Sequence, residues 1–189
     1  MSYQIDYLDA LRALFLPLDP LMIVLVFLVP LVLLIPMPWA LKAAGKWPRY
    51  WWLLPGIIAL LIVIFLGVFL TEVGAGWRLT DGEFKLRAWP VATTLDVPAM
   101  RVALAESSSP WQPVMRTNGY GTPGLTTGWC KLANGKKAVV FRHLRSEKMV
   151  VLEAGGRYYI LIHPGVEGLY EALIARGAKR WETNTGEGK

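Results

Sequence analysis

The spacing of hydrophobic and polar positions changes twice along this chain. From residue 2 to 15, Tyr3, Tyr7, Leu8, Leu11, Leu14 and Phe15 recur at helical spacing among Gln4, Asp6, Asp9 and Arg12, which predicts an amphipathic helix. Pro17 and Pro20 stop it, so residues 1–19 read as an interfacial leader. Two uncharged runs follow, 20–41 and 50–71. At about 1.5 Å of rise per residue, each would reach about 33 Å as a helix, against a hydrocarbon core of about 30 Å. The pattern predicts a transmembrane hairpin over 20–71, with spans at about 21–41 and 50–70, Pro30 kinking the first. Trp39, Tyr50, Trp51 and Trp52 sit at the span ends, where an aromatic belt meets headgroups.

After Gly76 the period falls to two. Phe84, Leu86 and Ala88 alternate with Lys85 and Arg87; Met100, Val102 and Leu104 with Arg101, Ala103 and Ala105; Val139 and Phe141 with Val140 and Arg142. Asp81-Gly82, Asn134-Gly135 and Gly155-Gly156 fall between such runs, where a tight hairpin needs positive φ. The predicted strands are 77–79, 83–88, 93–97, 101–106, 128–132, 137–143, 149–153 and 157–163, paired as an antiparallel meander. Val166, Leu169, Tyr170, Leu173 and Ile174 then return to helical spacing, and Gly177 ends that helix. The fold class is α+β: a helical hairpin, then an antiparallel barrel or sandwich over 72–177 capped by one C-terminal helix, then a disordered tail over 178–189.

Charge and composition refine this picture. The chain carries 20 Lys and Arg against 14 Asp and Glu, and most of the net charge of +6 falls from residue 72 onward. That excess fits anionic surfaces better than duplex nucleic acid, which asks for a denser basic stripe. Lys42, Lys46 and Arg49 crowd the connection between the runs, placing it in the cytoplasm and the C-terminal domain outside. Cys130 is the single cysteine, so no internal disulfide can form. The densest basic cluster is Lys136, Lys137, Arg142, Arg145 and Lys148, around one hairpin and the loop after it. Gly119, Tyr120 and Gly121 open a glycine-rich connection without the Lys-Ser/Thr ending of a phosphate loop, and they are kept as a contact site.

A catalytic set is not evident. Ser107, Ser108 and Ser109, His143, His163 and Asp96 lack a Gly-x-Ser-x-Gly elbow, and Cys130, His143 and His163 lack metal-ligand spacing. The expectation is a chain without enzymatic activity, metal or cofactor.

The stretch 119–125 followed by Gly128-Trp129, the hairpin at Asn134-Gly135, the run 139–142 and Tyr158-Tyr159-Ile160-Leu161-Ile162-His163-Pro164, closed by one helix, resemble the bacterial PH-domain family, membrane proteins with a pleckstrin-homology-like domain after transmembrane helices. The resemblance implies a multi-pass protein of the bacterial plasma membrane. It implies no catalytic residues. The hairpin tip Thr80-Asp81-Gly82-Glu83 is acidic, so phosphoinositide recognition is not carried over. The functional expectation is a membrane-anchored PH-like interaction module that associates with a membrane protein or with its own copies; the alternative is binding of anionic lipid or a small ligand.

Overall fold

The computed structural model describes residues 1–15, 42–45, 56, 59, 60, 63, 67 and 73–182. The chain divides into two compact units, Met1–Pro17 with Glu72–Lys189, and Leu18–Thr71. The described positions of the second unit are helical, apart from a turn at 44–45. The first unit is β-rich. Its strands are β1 (Ser2–Gln4), β2 (Gly76–Leu79), β3 (Glu83–Ala88), β4 (Val91–Asp96), β5 (Arg101–Glu106), β6 (Pro113–Gly121), β7 (Leu125–Leu132), β8 (Lys137–His143), β9 (Lys148–Ala154), β10 (Arg157–Ile162) and β11 (Lys179–Arg180). Its helices are α1 (Tyr7–Phe15) and α2 (Val166–Ala175).

The strands form two sheets, one of four in the order β1-β2-β3-β4 and one of seven in the order β11-β5-β9-β10-β8-β7-β6. The first is antiparallel throughout, and its β2–β3 turn is tight, with Thr80 N–H on Glu83 O at 2.9 Å and Gly82 at φ 87°. The second contains two parallel pairings, β8 with β10 and β5 with β11. Its central strands β8, β9 and β10 hold Val139, Val140, Phe141, Val150, Val151, Leu152, Ile160 and Leu161, all fully buried. Uninterrupted apolar runs of this kind mark strands covered on both faces. On one face a cluster of Ala103, Cys130, Ala138, Val140, Val151 and Ile160 is flanked by Trp111, Tyr158 and Trp181. On the other, α2 lays Val166, Leu169 and Leu173 against β9 and β5. The four-stranded sheet contributes Trp77, Leu79, Phe84 and Leu86, each nearly inaccessible to solvent and each stabilising by roughly 1.5–3 kcal/mol relative to exposure.

Several expectations are corrected. The fold is not a helical hairpin followed by a single antiparallel barrel with a capping helix: the elements assigned among the described residues are mostly strand, in two sheets, one of them a mixed seven-stranded sheet, with two short helices, α1 and α2. The meander reading failed at β8–β10, because β9 passes to the far side and β10 returns between them, a non-local arrangement that alternation cannot reveal. Among the described residues no helix is long and apolar enough to cross a membrane, so the transmembrane and multi-pass plasma-membrane assignments are not supported. An uncharged run measures only what a helix could span. Most of the expected spans, with Trp39, Tyr50, Trp51 and Trp52, lies outside the described residues.

The leader is not a separate interfacial helix either. Ser2–Gln4 is a strand on β2, continued by Ile5 N–H on Ala75 O at 2.9 Å. Helix α1 follows, its N-terminus capped by Asp6, whose Oδ1 accepts the Asp9 N–H at 2.7 Å. The helix buries Ala10 and Ala13, and the Ala13 carbonyl accepts from Gly124 N–H. Lys179–Arg180, expected in the tail, extends the seven-stranded sheet beside β5.

Candidate functional site

The sequence-predicted basic cluster is divided between the two ends of β8. Lys136 and Lys137 lie at the β7–β8 turn, whereas Arg142, Arg145 and Lys148 lie at the other end, about 20 Å away at 3.3 Å per strand residue. Lys136 is already engaged: its ammonium lies 5.1 Å from the centre of the Trp111 ring and 4.8 Å from that of Tyr158, and it donates to Tyr158 Oη at 3.2 Å. Lys137 stands opposite Lys131 in the ladder. Gly119, Tyr120 and Gly121 are not in a loop but in β6, paired with Gly128, Thr127 and Thr126. Gly119 and Gly128 both have positive φ, and a Cβ on either would strike the facing strand's backbone, so the two strands approach closely there. Of the predicted residues, Gly119, Gly121 and Arg142 come together on alternate rungs of β6, β7 and β8.

A larger concave surface, missed in the sequence, lies on the outer face of the four-stranded sheet. The period-two pattern of β3 turns Phe84, Leu86 and Ala88 inward and leaves Glu83, Lys85 and Arg87 exposed. The tight β2–β3 turn fixes the register, so one rung runs Ser2, Arg78, Lys85, Thr94 and the next on the same face Gln4, Gly76, Arg87, Ala92. Gly76 has φ 146°, and a Cβ there would collide with the Tyr3 carbonyl oxygen. The second rung is therefore low in the middle. The result is a cleft of about 450 Å³ lined by Gln4, Gly76, Arg78, Lys85, Arg87 and Thr94 among others. That volume lies within the range of about 300–1,000 Å³ usual for small-molecule sites.

Beneath these strands a buried polar network ties the two sheets together. The Tyr3 ring stacks on His163 with centroids 4.1 Å apart, and Tyr3 Oη lies 2.6 Å from His143 Nδ1. Trp77 Nε1–H donates to His163 Nε2 at 2.9 Å, while His163 Nδ1–H donates to the Pro164 carbonyl at 2.9 Å, an assignment that leaves this imidazole neutral. Burial pushes the Tyr3 hydroxyl up to about 12, with Asp9 adding to it, so the phenol keeps its proton and donates to His143. Burial lowers both histidines from their ordinary value. Asp9 and Asp6 partly oppose the shift at His143, and the Pro164 bond does so at His163. His143 and His163 are only 4% and 2% exposed, so neither imidazole presents itself to a ligand.

Comparison with family models, curated proteins and solved structures finds no match. The chemistry of the cleft is therefore read from its own side chains. Arg78 and Lys85 face each other directly across β2 and β3, an arrangement of like charges that destabilises a sheet. Arg87 lays its guanidinium beside Gly74. Among the described residues the one carboxylate paired with these three cations is Glu83, 3.1 Å from Lys85, with both side chains about half exposed. Neither guanidinium has an acidic partner there. The arrangement supplies two forked donors, an ammonium, an amide and a hydroxyl around a floor without side-chain bulk, which suits an anion carrying more than one charged group.

Proposed function

We propose that the β-rich unit is a binding module and that the cleft over Gly76 takes a small oligoanion, a compound with two or more phosphate or carboxylate groups. The carrying observation is the opposed Arg78–Lys85 rung beside Arg87, a concentration of positive charge that a bound anion would relieve. The seclusion of both histidines favours binding over proton-transfer chemistry. Titrating the full chain with tripolyphosphate and with citrate tests the proposal. Binding is expected with at least one of them, weakened by high salt and at least tenfold, about 1.4 kcal/mol, by combining Arg78→Ala with Arg87→Ala. Absence of binding for both probes, or equal affinity in the double variant, would refute it.

Protein association, the other expectation from sequence, is favoured by a different feature. Among the described residues strand β6 is the last strand on one side of the seven-stranded sheet, with Val114 and Met115 more than half exposed and two irregularities in its register. Such edges are templates for pairing with another chain. Sedimentation over a wide concentration range should show self-association that Met115→Lys suppresses; a monomer throughout removes the self-association reading.

A further inference from the structure

We infer that the seven-stranded sheet carries a second anion site, in which Arg116 and Arg142 close on one small oxyanion group, a phosphate or a carboxylate on a short apolar body. The site is separate from the cleft over Gly76 and does not depend on it. Three alternate rungs of β6, β7 and β8 build it: Arg116, Cys130, Ala138; then Gly119, Gly128, Val140; then Gly121, Thr126, Arg142. The middle rung carries a side chain only at Val140, which leaves a depression between the outer two. The cavity there measures about 230 Å³ and is lined by Met115, Arg116, Thr126, Cys130, Val140 and Arg142, with Pro113 and Val114 beside them.

The two guanidiniums converge although their α-carbons lie on different rungs. Arg116 reaches along β6 past the glycine rung until its Nη1 occupies the space that a Cβ on Gly121 would need. Arg142 turns toward the same rung and donates from Nη2 to Thr126 Oγ1 at 2.9 Å. Gly121 and Thr126 are direct cross-strand partners, so the two cationic heads end over neighbouring positions. Both also act electrostatically on Cys130. Among the described residues neither pairs with a carboxylate. Two converging guanidiniums without an acid repel each other, and an oxyanion bridging them turns that repulsion into two charge-assisted contacts.

Volume and lining narrow the ligand. The cavity is smaller than the range of about 300–1,000 Å³ for drug-sized compounds, so the occupant is a few atoms around one charged head. Val114 and Met115, both more than half exposed, offer the apolar contact for its body.

The test uses the full chain and two probes, inorganic phosphate and butyrate, followed by calorimetry or by chemical shifts of the arginine side chains. At least one probe should bind, with the stronger identifying the head group. Arg116→Ala should weaken binding at least tenfold, and so should Gly121→Ala, which removes no charge but evicts the Arg116 head; Gly121 is not at positive φ, so alanine fits its backbone. The response of the Arg116 and Arg142 side-chain shifts, read apart from any binding in the cleft over Gly76, is the signature of this site, and a response confined to Arg78 and Arg87 would overturn the inference. No binding of either probe at 10 mM, a concentration about ten times the weakest Kd worth considering, overturns the inference. Unaltered binding in Arg116→Ala overturns it equally, since Arg116 is exposed and its truncation leaves the fold in place.

Discussion

The network of Tyr3, Trp77, His143 and His163 makes stability dependent on mild acid. Both imidazoles titrate below the ordinary histidine value because burial disfavours their charged forms. The unfolded chain therefore binds protons first as pH falls. Stability should be full above about pH 6.5 and decline below it, before ordinary carboxylates titrate. Protonating His163 at Nε2 would turn the acceptor of the Trp77 bond into a donor, while His143 Nε2 is buried and finds no partner among the described residues. Denaturant midpoints at pH 7.5 and 5.5 check this, and equal midpoints would contradict it. Gly76 is the other decisive residue. Gly76→Ala combines a positive φ with a collision against the Tyr3 carbonyl and should cost about 2 kcal/mol or more in thermal or chemical unfolding.

Elements differ in how much of themselves the sequence discloses. The β2–β3 hairpin was legible down to its register: with Asp81-Gly82 as the turn, Arg78 must face Lys85 and Gly76 must face Arg87. The acidic tip lies two rungs from the Arg78–Lys85 pair, where the cations stand. Strands β3, β5, β8, β9 and β10 lie close to where alternation or apolar runs put them. Strand β6 was invisible because Val114 and Thr117 fall at shifts of register and Gly119 breaks the apolar pattern, so its residues read as a loop. The two-arginine pocket depends on that strand, which is why Arg142, Gly119 and Gly121 could be named but not joined. Strand β1 was missed for another reason. Three residues give too little period to detect, and its partner lies far along the chain.

For the molecule as a whole, β1 and α1 make the β-rich unit discontinuous in sequence, since Met1–Pro17 joins Glu72–Lys189. Ile5, buried with 2% exposure, anchors this junction. Ile5→Ala should cost about 2–5 kcal/mol in global unfolding, and hydrogen exchange should protect the Ile5 amide, which donates to Ala75 O, as strongly as the β2 amides. Rapid exchange at Ile5 beside slow exchange in β2 would show that the junction frays separately.

The β1–β2 pairing also bears on synthesis. An N-terminal strand whose partner is Gly76–Leu79 must wait at the ribosome for roughly seventy further residues, on the order of 4–14 s at 5–20 residues per second, before its ladder can form. During that interval Tyr3 and Ile5 lack their native cover, so nascent chains stalled before residue 76 should be the ones that chaperones hold.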